Sequence, residues 1–274
     1  MNQNKEMIIK NAIAVITAFI LTFALSCLNI CLAGKIISQP FFVKKVVVGS
    51  NYVSNAASEI KEALSDLAIP SGLPSDFFDK KVSDSKVSQL VASALDYNFK
   101  ISSKAPDFSF IKEDLSKDIN AFANEHFVTI DNETKKAITA LTEECYNVYL
   151  RYCNPQVIQV LGQVVGSVSK IITLGIIASL LLSGVTLVFL FRLVDRKNFL
   201  FYSFVSFLGA GLLSGIIPLI LLVTNKISHI AILSKSLYAF LCSFANSGLF
   251  IVVLFSLLFV LISLLMLFFE LRKK

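Results

Sequence analysis

The side chains best suited to bind a metal or attack a substrate are few in this 274-residue chain: His126 and His229, and Cys27, Cys31, Cys145, Cys153 and Cys242. Zinc and metalloprotease chemistry needs ligands repeated at short helical spacing, as in His-Glu-x-x-His, and neither histidine belongs to such a set. Cys27 and Cys31 stand one helical turn apart, but inside an apolar run, where thiols act as small packing groups. Cys145 and Cys153 are eight residues apart, about 12 Å along a continuous helix. That exceeds the roughly 7 Å Cα limit for a disulfide. They pair only if the helix breaks between them or across two chains, and otherwise stay free. No phosphate-binding glycine loop, nucleophile elbow or paired His–Cys arrangement appears. The expectation is a protein that is not an enzyme, with no metal and no cofactor.

The chain around these residues is too apolar for an ordinary soluble domain. Hydrophobic residues make up 55% and the mean hydropathy is +0.72, against about 45–50% apolar residues in typical globular proteins. Four runs, Asn11 to Ala33, about Ile171 to Phe191, Phe199 to Val223 and Leu237 to Phe269, contain no Asp, Glu, Lys, Arg or His. Each reaches the roughly 20 residues that cross a bilayer core. The stretch from Lys35 to Val165 between the first two is polar and mildly acidic. The net charge of +6 therefore sits beside apolar runs and not on a folded basic face, so no nucleic-acid partner is expected.

Short loops rich in Lys and Arg stay in the cytoplasm. Lys5 and Lys10, the Arg192-Leu-Val-Asp-Arg-Lys197 turn and the Arg272-Lys-Lys274 tail fall on one side if the chain starts inside, and these outweigh Lys226 and Lys235 on the other. The expected order is a cytoplasmic N-terminus (1–10), a first span (11–34), an extracytoplasmic helical domain (35–165), a second span (166–191), a cytoplasmic loop (192–198), a third span (199–223), an outer loop (224–236), a fourth span (237–269) and a cytoplasmic tail (270–274). A cleaved signal peptide is the alternative for the first run. Its length exceeds the usual 7–15-residue apolar core, and Ala24 stands where a lipoprotein signal normally has Leu. An uncleaved anchor is expected.

Within the central domain, Val53, Ala56, Ala57, Ile60, Leu64 and Leu67 recur at steps of three and four, one face of a helix. Pro70-Ser-Gly-Leu-Pro74 ends it, and Phe77 and Phe78 form an apolar plug. Ser83 reads as the cap of a second helix carrying Val87, Leu90, Val91, Ala94 and Leu95, with Val82 as its staple. A third helix starts near Asp107 and carries Ile111, Leu115, Ile119, Phe122 and His126. A fourth starts at a cap supplied by Asp131 or Asn132, with Ile138, Leu141, Cys145, Val148 and Tyr152 as its seam. Pro155 either kinks a rod running from about Asn132 to Phe191 or marks a loop between domain and span. The fold class is thus an all-α membrane protein with four transmembrane helices and an all-helical domain between spans one and two.

In the spans, Gly162-x-x-x-Gly166, Gly175-x-x-x-Ser179-x-x-x-Ser183 and Gly211-x-x-x-Gly215 allow close helix approach. Asn246 is strongly polar at mid-depth in the fourth span and is expected to make a contact across helices. In the domain, Pro70, Leu73, Pro74, Phe77 and Phe78 form a candidate partner-binding loop.

The layout, with Asn51-Tyr52 opening a helix, then Pro70-Ser-Gly-Leu-Pro-Ser-Asp-Phe-Phe78 and Val82-Ser-Asp-Ser-Lys-Val87, resembles small four-span membrane proteins of Gram-positive bacteria over roughly residues 1 to 190. The resemblance implies a cytoplasmic-membrane protein with an extracytoplasmic helical domain, and implies no activity. In span order alone the chain also resembles FtsX- and MacB-type permease subunits, which present cytoplasmic surfaces to an ATPase, whereas here ten residues precede the first span. Two functions are expected to compete. One is a non-enzymatic membrane protein whose outer domain binds a partner protein or envelope component. The other is a permease- or channel-like subunit that forms a homo-oligomer through small-residue helix faces.

Overall fold

A computed structural model of the chain describes residues 2–126, 131–229, 232 and 234–272, with side chains from residue 7 onward. Lys273 and Lys274 of the basic tail, the side chain of Lys5, and Ile230, Ala231 and Leu233 of the 224–236 loop lie outside the described residues. Every regular element among the described residues is helical. In chain order they are α1 (Asn2–Ile37), α2 (Pro40–Gly49), α3 (Tyr52–Ala68), α4 (Asp84–Asn98), α5 (Ser109–Glu125), α6 (Asn132–Cys153), α7 (Gln156–Leu193), α8 (Arg196–Val223) and α9 (Lys235–Leu271), with short 3₁₀ turns at Ile69–Ser71 and Lys226–His229. The chain divides into two compact units.

The first unit comprises Met1–Phe42, Ser167–Ile230 and Phe244–Lys274. It is built from α1, α7, α8 and α9, the four helices long and apolar enough to cross a membrane. A segment without access to water must satisfy its own N–H and C=O groups, and a helix does so within itself. Burial separates the four: 50% of the apolar window of α1 is buried, against 28% for α8 and 17% for each of α7 and α9. The first span is accordingly the central element of this unit. Leu21, Leu25 and Leu28 of α1 form a cluster with Ala210 of α8 and Phe259 of α9. The Ser206 hydroxyl donates to the Ala18 carbonyl at 3.0 Å, and Lys35 Nζ donates to Ser169 and Thr173 of α7, at 3.0 Å each. Helix α8 runs through Pro218 without ending.

The second unit comprises Val43–Gly166 and Ala231–Ser243. Its core is lined by Ala56, Ala57, Ile60 and Leu64 of α3, Val87, Leu90 and Val91 of α4, Ile111, Leu115 and Ile119 of α5, and Ile138, Cys145 and Val148 of α6. Ser83 caps α4 by accepting from the Lys86 N–H at 3.3 Å. Asp131, not Asn132, caps α6, its carboxylate accepting from the Thr134 N–H at 2.7 Å. That bond holds the Asp131 carboxyl below the usual carboxylate range.

Several boundaries depart from the sequence expectation. The run after Pro40 is a helix, α2, with Val43, Val46 and Val47 buried along one side. A β-branched run argues weakly for a helix on its own, so only the burial pattern reveals it. Helix α6 stops at Cys153, Asn154 leaves the helical region (φ −136°, ψ 57°), and α7 starts at Gln156. The two helices are therefore separate rods. Pro155 accepts the opening N–H bonds of α7 through its carbonyl, and its missing N–H falls where a helix start needs no donor. Residues 156–165, expected in the domain, fall within the second unit, although they open the same helix, α7, that carries the second apolar run. His126 follows the last turn of α5 and is exposed, its ring stacked on Phe122.

A methyl group added at Gly211 would lie 2.8 Å from the Ser256 backbone carbonyl, whereas one added at Gly184 meets nothing within 4 Å. Gly211→Ala should therefore destabilise the protein by roughly 1–3 kcal/mol through overpacking, and Gly184→Ala should not. Thermal unfolding of both variants in detergent distinguishes the two.

Candidate functional site

The apolar residues of the 70–78 loop are spent inside the second unit. Gly72 takes a left-handed conformation (φ 77°) that turns the chain after the Ile69–Ser71 turn, and the Leu73 N–H bonds back to the Ala68 carbonyl at 3.0 Å. Leu73 and Phe78 are buried. Phe77 is half-buried and meets Phe78 and Phe122 edge-on, with centroids 4.8 and 5.3 Å apart. Only Pro70 and Pro74 are fully exposed. A docking surface made of all five does not exist; the loop is a plug in the core. His126 stacks on Phe122 at 3.9 Å and its Nδ1 lies 3.0 Å from the Phe122 carbonyl. Among the described residues, no three His, Cys, Asp or Glu side chains are grouped to hold a metal.

The span residues singled out by their spacing face helices of the same chain. Gly175 sits against the Cys31 sulfur, and Gly211 and Gly215 against Ser256, with Val260 also beside Gly211. Ser179 and Ser183 are buried. Asn246 is half-buried and forms no hydrogen bond among the described residues. The polar link between spans is made by Asn29 of α1. Its amide nitrogen donates to the hydroxyls of Ser214 in α8 and of Ser256 in α9, the latter at 2.9 Å, and those two hydroxyls are 3.0 Å apart. Asn29 is fully buried, and its carbonyl oxygen accepts no hydrogen bond among the described residues. The rule that singled out Asn246, a strong polar group amid an apolar run, applied equally to Asn29.

In the second unit, Glu59 of α3 caps the start of α9. Its carboxylate accepts from the backbone N–H groups of Lys235 at 2.6 Å and Ser236 at 3.2 Å, and from the Ser234 hydroxyl at 3.1 Å and the Ser236 hydroxyl. An anion there satisfies orphan donors and opposes the positive end of the helix dipole. No local signal could have revealed a cap whose partners lie 175 residues or more away in sequence. Beside it, the Tyr52 hydroxyl donates to the Tyr152 carbonyl at 2.6 Å. The Tyr52 ring is fully buried with its centroid 6.0 Å from that of Phe240. Burial raises its phenol far above the normal range.

Hollows lined by charged side chains open on this unit, among them one of 490 Å³ with Lys112, Glu113 and Lys117 and three others. One of 280 Å³ is lined by Glu59, Glu62, Asp66, Tyr152 and Lys235, and one of 340 Å³ by Gln89, Asp96, Lys104 and Phe110 among others. The third, of 270 Å³, lies between the approach to α4 and α5, with Tyr149 of α6 against it. Lys81 pairs with Asp118 at 2.6 Å and Lys86 with Asp114 at 2.8 Å across that hollow. The Lys86 bond holds the Asp114 carboxyl below its ordinary range. The sequence seam chose Tyr152 for the buried face of α6; the structure buries Tyr149 instead, leaving Tyr152 half-buried. Tyr149 stands four residues after Cys145 and Tyr152 four after Val148, so spacing could not separate them.

None of the five cysteines forms a disulfide among the described residues. Cys145 and Cys153 are buried on the same unbroken helix, which closes off both a bond between them and a bond to another chain. Burial pushes both thiols up to about 12, with Glu144 adding to the rise at Cys145.

No protein family, curated protein or solved structure matches the chain.

With thiols titrating near 12, about one part in ten thousand is thiolate at pH 8. Cys145 and Cys153 should resist iodoacetamide at pH 8 in the folded protein and react fully after denaturation, as mass spectrometry of the α6 peptide would show. Glu59→Ala should cost about 1–2 kcal/mol by loss of the cap. The loss should appear in thermal unfolding and as faster amide exchange at Lys235 and Ser236.

Proposed function

We propose that the chain is a non-enzymatic, multi-pass protein of a cell membrane with both termini cytoplasmic, and that its second unit is an extracytoplasmic module that binds a partner protein or envelope component. The observation that carries this reading is a contrast within the chain. Helices α7 and α9 leave most of their apolar surface uncovered and cross the expected bilayer depth without an ionisable residue, whereas the second unit buries its own core beneath a charged surface. Apolar surface of that kind is stable against lipid, and the second unit's against water. The excess of Lys and Arg at 1–10, 192–198 and 270–274 supports the cytoplasmic placement of those segments. The similarity to small four-span proteins of Gram-positive bacteria accords with it. Intramembrane charge, the usual basis of ion coupling, is missing from the four apolar runs, which favours a recognition role over driven transport.

The second reading, a permease- or channel-like subunit that oligomerises, is favoured by one observation. Asn246 is a half-buried amide on an apolar helix that forms no hydrogen bond among the described residues, and a second copy would satisfy it. Gly175, Gly211 and Gly215, whose spacing fits packing within one chain more than a dimer, lie against neighbouring helices of the same chain.

Sidedness is the test. Ser75 and Asn198 are both exposed. With the five native cysteines replaced by alanine, Ser75→Cys should react with a membrane-impermeant maleimide on intact cells, and Asn198→Cys should react only after permeabilisation. The reverse pattern would overturn the proposal.

A further inference from the structure

The hollow between the approach to α4 and α5 combines three features that a solvated charged surface does not need. First, Lys81, Lys86 and Lys117 line it together with Asp114 and Asp118. Lys81 and Lys86 are each tied to one of the aspartates. Lys117 forms no ion pair among the described residues, so one positive charge is left over. Second, Tyr149 lines the same space while keeping only 2% of its surface. Its hydroxyl makes no hydrogen bond among the described residues, yet it is not among the occluded polar atoms. The sliver of surface Tyr149 retains therefore includes the hydroxyl, on a side chain that lines the hollow. A phenol taken this far from water is normally hydrogen-bonded, so the position calls for an acceptor. Third, Ile111 and Leu115, both buried, wall the base, which lowers the local dielectric and strengthens any charge-assisted bond made there.

We propose that this hollow, with Lys81, Lys86, Lys117 and Tyr149 as donors, binds a phosphate group, carried either by free phosphate or by a phosphodiester of a larger molecule. Lysine ammoniums are compact point charges that can reach a tetrahedral oxyanion from several directions, and the acetate arm of the test separates phosphate from a carboxylate. At 270 Å³ the space takes a phosphate with one substituent and is too small for a folded macromolecule. The phosphate would accept from the Tyr149 hydroxyl at the bottom and from Lys117 at the rim. Lys81 and Lys86, anchored by Asp118 and Asp114, would hold its remaining oxygens with their spare donors. This deepens the reading of the second unit as a binding module by naming a ligand chemistry, and the binding itself does not depend on which side of the membrane that unit occupies.

The test is isothermal titration of the full-length protein in maltoside detergent with inorganic phosphate, dimethyl phosphate and acetate. Saturable binding of inorganic phosphate is expected, weakened about tenfold in both Tyr149→Phe and Lys117→Gln, the effect of losing one hydrogen bond to a charged group, and unchanged in Lys112→Gln. Tyr149→Phe keeps the ring in the core, and Lys117 is exposed, so neither variant should unfold; circular dichroism checks this. Binding of dimethyl phosphate as well assigns the site to a phosphodiester, and binding of inorganic phosphate alone assigns it to the free ion. No saturable binding, equal binding by the wild type and both variants, or acetate bound as tightly as phosphate would overturn the proposal. A failed titration leaves the maleimide result standing, and a reversed maleimide pattern leaves the titration standing.

Discussion

A backbone without water must satisfy its own polar groups, and that single constraint sets the character of the first unit. It forces α1, α7, α8 and α9 into long helices, and it removes the hydrophobic driving force between them, because lipid is as apolar as the leucines they carry. What remains to hold them is close packing and a few polar links. Gly175, Gly211 and Gly215 provide the first, each lying against a side chain of a neighbouring helix. Asn29 provides the second, one buried amide joining α1 to serines of α8 and α9. That a single amide reaches two other helices is consistent with the burial pattern, in which α1 is the most enclosed of the four.

The second unit follows the rules of water-soluble helical domains. Its helices have one buried face each, Ser83 and Asp131 cap the starts of α4 and α6, and half-buried lysines pair with aspartates across helix boundaries. Surface pairs of this kind add little stability, so their value lies in arranging charge. The pairs Lys81–Asp118 and Lys86–Asp114 are a case in point: they neutralise most of the charge around one hollow and leave Lys117 and the Tyr149 hydroxyl unspent. Glu59 does different work, taking the place of a local cap residue for a helix that begins far away in sequence.

The fold class was legible because it rests on short-range periodicities. Runs of apolar residues marked four spans, steps of three and four marked the helices of the domain, and Ser83 and Asp131 stood where caps belong. The 70–78 loop was read both as an apolar plug and as a partner-binding loop, because Leu73, Phe77 and Phe78 beside two prolines look the same in sequence whether they point outward or inward; the structure buries Leu73 and Phe78. Helix α2 was missed because valines at its core-facing positions carry no clear helical preference. Tyr149 was passed over for Tyr152 since either position continues the apolar seam of α6, and rotation of the helix about its axis is decided by its neighbours.

The amino-acid order alone therefore determined that this protein is helical, that four segments suit lipid and that one intervening stretch suits water, because these properties depend on composition and on spacing within a dozen residues. Only the tertiary structure decided which polar groups meet. Asn29 with Ser214 and Ser256, Glu59 with the start of α9, and Tyr149 beside three lysines are encounters between residues far apart in the chain, and their partners are chosen by packing angle and helix rotation, which no local pattern encodes.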